Sequence, residues 1–259
     1  MIEKHNYLNK GISYIKNAIL REYDMTDAGF TIIRKKKLLK KSIINELEEM
    51  EKMDRHIYIG KIMREDRELS INLLQEFKNN RLQFMKQNSL ETGDILYIKK
   101  DSICTINKKC NNLKTEASKF KLKNTYTTYA NLNNKEFYYS SYDDELTIKG
   151  ISKDIISCHE DYLLYDIKNF LKLSESLPNK DMRELLYHYR KGYIECDLDF
   201  HNYVEFNDKN RLKLRTLCSS LESYIDFDIS ACTREFVKNH VDISYNYINY
   251  IINLIKILY

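Results

Sequence analysis

The chain has 259 residues, 43% hydrophobic and 31% charged, with 42 basic and 38 acidic side chains and a formal net charge of +4. That length buries a real core, as one large domain or two modest ones, and the apolar content excludes a disordered chain. A near-balanced charge permits nucleic-acid binding through a local patch but does not argue for it.

Residues 1–17 show no clear period. Ala18–Met25 then alternates, with Ile19, Arg21, Tyr23 and Met25 on one face of a predicted strand. Asp24 closes that strand, and Thr26 or Asp27 supplies the N-cap of a helix over Ala28–Lys41. A carboxylate at such a junction is presented to a cleft. Helical period continues through Ser42–Met53, through Lys52–Arg64 with an interruption at Gly60, and through Arg67–Lys86. The polar side of the last of these carries Lys78, Arg81 and Lys86.

From Gly93 to Gly150 the period becomes alternating. Strands are expected at Asp94–Ile98, Ser102–Ile106, Lys119–Lys123, Tyr126–Ala130, Glu136–Ser140 and Glu145–Lys149, with turns at Asn111-Asn112 and Asn133-Asn134. The first pair folds about Lys99-Lys100-Asp101, a turn with one carboxylate among lysines where Asn-Gly or Asp-Gly is usual. After Gly150 helices are expected at Ile155–Leu173, Met182–Glu195, Arg211–Tyr224 and Val241–Leu258, with Pro178 as a break.

Six cysteines without a Cys-x-x-Cys pair or a zinc-site His/Cys spacing read as reduced, mostly buried thiols of a cytoplasmic protein. The start has no apolar export segment. Val241–Tyr259 carries Asp242, Asn246, Asn249, Asn253 and Lys256, which suits an amphipathic docking helix and not a membrane span. Cys158-His159 reads as a plain helix start, and His188 and His201 stand too isolated to be metal ligands. The tyrosines at 126, 129, 138, 139 and 142 suit base stacking or, more commonly, cross-strand packing.

The chemistry-bearing pair is Asp24 and Asp101, two acids at strand ends separated by a basic helical region. Two such carboxylates suit two-metal phosphoryl transfer, because Mg²⁺ takes only one or two protein carboxylates and fills its shell with water and substrate phosphates. Lys52, Lys61, Arg64, Lys78 and Arg81 are the basic side chains available for a triphosphate. For each residue alone the bland alternative is a cap, a polar turn or a solvated helix face.

In order of segments the chain resembles the palm of family B DNA polymerases, in a minimal, degenerate form of phage or mobile-element type. EYDMTDAGFTII matches the first palm motif, with Asp24 as metal ligand, Gly29 at the sugar-gating position and Phe30 beside it. KMDRHIYIG keeps the Lys52 and Gly60 of the finger motif, although His56-Ile57-Tyr58-Ile59 replaces its core. Lys99-Lys100-Asp101-Ser102 stands for the second palm motif, with Lys99 in place of its first Asp. KNTYTTYANLNN and IKGIS follow in the order of the family's later elements.

The resemblance implies an α+β fold: an antiparallel palm-like domain over 1–152 with helical fingers inserted at about 35–90, then a helical thumb-like domain over 153–259. It implies Asp24 and Asp101 as catalytic, Mg²⁺-binding residues and Lys52, Gly60, Arg64 and Phe30 as nucleotide-binding. Tyr126, Lys149 and Gly150 would contact nucleic acid. The implied partners are a DNA primer-template, deoxynucleoside triphosphates and a replication partner protein, with no membrane. Two alternatives stand beside it: an inactive, palm-derived nucleic-acid-binding accessory, and a non-enzymatic mobile-element protein acting through its C-terminal helix.

Overall fold

The computed structural model describes residues 2, 4–150, 167–198, 204–206, 212–214 and 245–259. It is an α+β protein whose described sheets are antiparallel throughout, and the chain packs as two compact units. The first unit takes residues 1–12 and 18–127, and the second takes 13–17 and 128–259.

The first unit is built on a five-stranded sheet in the order β1-β4-β5-β3-β6. Its strands are β1 (Asn6–Leu8), β3 (Leu20–Met25), β4 (Ile95–Lys99), β5 (Ser102–Ile106) and β6 (Phe120–Tyr126). Between β3 and β4 run four helices: α1 (Ala28–Lys36), α2 (Lys41–Glu49), α3 (Lys52–Glu65) and α4 (Arg67–Gln87). One face of the sheet is apolar, and register places Tyr23 beside Ile103 and Ile103 beside Ile98. These pack into one core with Ile32, Ile33, Leu73 and Phe84, where Phe84 stacks on Phe120 with ring centroids 4.1 Å apart. The aromatic pair adds geometric preference to ordinary apolar burial.

Local chemistry sets the helix ends. Asp66 caps α4, its carboxylate accepting from the Leu69 N–H at 2.9 Å. Helix α1 stops at Lys36, short of the expected Lys41, because Lys37 turns left-handed at φ 51°. Helix α3 runs through Gly60 without the expected interruption; a glycine lowers helix propensity but supplies no stop. The neighbouring Ile59 is buried against Gly29 of α1, which ties the two helices together.

The second unit holds a four-stranded sheet in the order β2-β7-β8-β9. The strands are β2 (Tyr14–Ile15), β7 (Thr128–Leu132), β8 (Lys135–Ser140) and β9 (Glu145–Lys149). Its helices are α5, seen over residues 167–176, α6 (Asn179–Ile194) and α7 (Tyr245–Lys256). Phe137, Tyr139, Phe170, Leu171, Tyr193 and Leu254 belong to its core. A short pair, β10 (Val204–Phe206) with β11 (Leu212–Leu214), completes the described elements.

Several expectations are corrected here. The chain divides between Thr127 and Thr128 and not near 152. Strands β7 to β9 form one sheet with β2, which pairs with β7, and their apolar side chains share a core with the C-terminal helices, so they cluster with that half. The later unit is therefore not purely helical. Leu212–Leu214, expected in a helix over 211–224, is a strand, and residues 215–224 lie outside the described residues. Residues 155–166 of the helix expected at 155–173 also lie outside them, as do Cys158, His159 and His201.

The described apolar residues of the C-terminal helix pack inward. Ile248, Ile251, Leu254, Ile255 and Leu258 are buried in the second unit, and Arg183 of α6 donates to the Leu258 carbonyl at 2.9 Å. Cys104, Cys110 and Cys196 are buried and form no disulfide among the described residues. Among the described residues no helix is long and apolar enough to cross a membrane.

Candidate metal and nucleotide site

The site forms where β3 and the β4–β5 hairpin end together in the first unit. Antiparallel register sets Asp24 opposite Ser102 on β5 and opposite Lys121 on β6. Lys99 pairs with Ser102, so the turn is the two residues Lys100 and Asp101, one shorter than the sequence suggests. The Met25 N–H donates to the Asp101 carbonyl at 2.9 Å, locking the end of β3 to the hairpin tip. Asp24 and Asp101 thereby line one open cleft of about 760 Å³, with Lys99, Lys100, Ser102 and Lys123 and residues of β1.

The Asp24 carboxyl is governed first by burial and then by its charged neighbours. Burial raises the Asp24 carboxyl above its ordinary range, and the negative charge of Asp101 raises it further. Lys123 opposes the shift, with its Nζ 3.9 Å from Asp24 Oδ2. Glu22 lies two residues back on the same strand face but is only 3% exposed and already engaged. Its Oε2 accepts from Asn124 Nδ2 at 2.8 Å and from the Tyr126 hydroxyl at 3.0 Å. Burial, with Cys104 and Glu22 adding to it, raises the nearby Tyr97 hydroxyl well above its usual value.

Arg81 of α4 is the third notable residue. By sequence it belongs to the polar side of its helix, yet it is 2% exposed. Its Nη1 donates to the Lys100 carbonyl at the hairpin tip. Burial lowers its pKa to about 10, against the opposing charge of Asp101. On the other side of the turn the Lys100 N–H donates to the His5 carbonyl at 3.2 Å.

Of the residues singled out from sequence, the structure brings Asp24 and Asp101 into one cleft and leaves the others out of its lining. Lys52 and Arg64 lie at opposite ends of α3, both exposed, with Gly60 between them. Phe30 is 5% exposed and covered by the Arg55 guanidinium, 4.3 Å above its ring, so it presents no face to a sugar. Tyr126 is 2% exposed with its hydroxyl on Glu22, so it offers no face to a base. Tyr129 and Tyr138, directly paired across β7 and β8, are a packing pair with centroids 5.0 Å apart. Lys149 and Gly150 belong to the second unit, where Lys149 Nζ lies 4.9 Å over the Tyr138 ring.

Sequence reasoning missed a cluster next to the strand end. Asp27 accepts from Arg55 Nη1 at 2.6 Å and is hydrogen-bonded to His56 Nε2 at 3.0 Å, while Arg55 Nη2 donates to the Met50 carbonyl. It joins the start of α1 to the first turn of α3. The alternation of Lys119, Lys121 and Lys123 was the available signal for Lys123. The signal for Arg81 was its place in the i, i+4 row Leu69, Leu73, Phe77 and Met85 of α4.

Among the described residues no group of three or more His, Cys, Asp and Glu side chains is arranged for a metal ion. The available donor set is therefore the Asp24–Asp101 pair. It fits a hard cation of the Mg²⁺ type, which takes one or two carboxylates. Burial first, and then the Asp101 charge, raises the Asp24 carboxyl, and a cation bound beside it would relieve the second of these.

The chain matches the family model of the bacteriophage PBS1 gene 130 protein from residue 1 to residue 259. It belongs to that family. No curated protein matches the sequence. Membership points to a phage protein and gives no support for a family B polymerase core.

Proposed function

We propose that this phage protein is a palm-derived nucleotidyltransferase whose substrates are a DNA primer-template and deoxynucleoside triphosphates. The observation that carries the reading is the meeting of Asp24 and Asp101 at one end of the β5–β3 pair, lining a common cleft. Bound at that pair, Mg²⁺ would supply charge neutralisation for the reacting phosphate oxygens. Lys99, Lys100 and Lys123 beside the acids give the cleft the positive potential that attracts a polyphosphate. In this reading Lys52 and Arg64 on α3 would reach the nucleotide's phosphates.

A second reading has its own observation. Lys99 stands where the polymerase hairpin motif carries its first Asp, and the cleft holds three lysines against two acids. A surplus of cations suits a phosphate-binding surface that has lost turnover, as in a replication accessory protein. Primer extension with Mg²⁺ decides between them. The catalytic reading expects extension by the native chain and a loss of at least about a hundredfold in Asp101→Asn, typical of removing a reacting-charge stabiliser. No extension by the native chain, or equal extension by the variant, ends that reading. Salt-sensitive DNA binding without extension selects the second.

A further inference from the structure

The buried guanidinium of Arg81 calls for explanation beyond the packing of its helix. Leu73, Phe77, Phe84 and Met85 form the buried stripe of α4, and Arg81 lies within it at 2% exposure. An apolar side chain of similar length would pack there without desolvating a charge, and buried charges are costly unless well paired. Arg81 also keeps its Nη2 buried with no hydrogen-bond partner among the described residues. What the arginine does that a hydrocarbon does not is donate Nη1 to the carbonyl of Lys100.

That carbonyl opens the peptide leading into Asp101. Lys100 is left-handed at φ 39°, an uncommon backbone for a residue with a side chain, and such a conformation persists where its surroundings hold it. The holding groups come from separate elements: Arg81 on the Lys100 carbonyl, the His5 carbonyl on the Lys100 N–H, and the Met25 N–H on the Asp101 carbonyl. Of these, only Arg81 acts through a side chain. We propose that Arg81 is a positioning residue, fixing the Lys100–Asp101 peptide so that the Asp101 carboxylate meets Asp24 in the cleft. The inference rests on the two-carboxylate reading above and adds to it the residue that sets the geometry.

The test is Mn²⁺ titration of the full chain, followed by electron paramagnetic resonance of the free ion, with a thermal melt of each variant alongside. Native chain and Asp101→Asn establish whether the acids hold the metal. Arg81→Met removes the donor and the buried charge while keeping the stem. It is expected to weaken Mn²⁺ binding by about 10- to 100-fold, the range for losing a group that orients a ligand. Arg81→Lys keeps a cation and a donor, and is expected to lose less than about 10-fold, below the range for losing an orienting group. Should Arg81→Met fail to fold, the loss in Arg81→Lys decides.

Native-like Mn²⁺ affinity in the folded variants, whatever their melting temperatures, assigns Arg81 to stability alone and overturns the proposal. If instead the native chain binds no Mn²⁺, or Asp101→Asn binds equally well, the metal reading itself fails and the positioning role with it.

Discussion

Asp24 shows how a site residue works against its own fold. Its carboxyl is held above the usual range chiefly by burial and by the charge of Asp101, so the ionised form is disfavoured in the native state. The sign follows from linkage. A folded pKa above the unfolded one gives stability that is complete below the ordinary carboxylate value and is lost as pH rises through the raised value. At neutral pH the ionised Asp24 is therefore a net cost without metal. Asp24→Asn is expected to melt higher than the native chain at pH 7, with the difference shrinking toward pH 3, and to lose Mn²⁺ binding. A lower melting point for the variant at pH 7 contradicts this account. Stability gained by removing an acid from the proposed pair would be a familiar trade. His5 shifts the other way: burial, then the charges of Arg81 and Lys78, lowers its pKa.

At the scale of elements, the hairpins divide into one read from local chemistry and one read from surroundings. The β7–β8 turn, Asn133-Asn134, has φ 53° and 65°, the left-handed pair that a tight hairpin demands and that asparagine tolerates. Gly150 closes against this turn. Its φ is +88°, and a Cβ there would lie 2.8 Å from the Asn134 carbonyl oxygen. Gly150→Ala combines backbone strain with a backbone clash, and is expected to destabilise the chain by about 1–3 kcal/mol. Denaturant unfolding measures it; an unchanged midpoint refutes the conflict. Gly150, whose sequence context resembled a polymerase's Lys-Gly element, thus has a sufficient structural reason to be glycine. The β4–β5 turn uses Lys100 in a left-handed position and is held from outside by Arg81 and His5.

At the scale of the molecule, the proposed metal site would link cation binding to stability. A ligand that binds only the native state adds about 2.7 kcal/mol at a hundred times its dissociation constant. Saturating Mg²⁺ is expected to raise the melting temperature of the native chain and leave Asp24→Asn and Asp101→Asn unmoved. An equal rise in all three would mark a nonspecific ionic effect and count against the site. The two units each carry a sheet and helices, and the short segment 13–17 belongs to the second while its neighbours on both sides belong to the first. Truncation at 127 would thus keep β2 without its partner β7, an added reason to measure binding and extension on the whole chain.

Much of this molecule was legible in the sequence. Period changes placed α3, α4, β5 and β9 within a residue or so, and Asp24 at a strand end and Asp101 in a hairpin turn were readable from the same patterns. Those are local properties, because periodicity records which face of an element is apolar. The tertiary structure decided what lies beside what. Placing β3 between β5 and β6 set Asp24 next to the hairpin; packing of α4 beneath it buried Arg81; and Tyr126 and Phe30 were turned inward. It also drew the division at 127, since β7 to β9 share a core with helices far along the chain. Register and burial between distant segments depend on how whole faces pack, and no window of neighbouring residues encodes that.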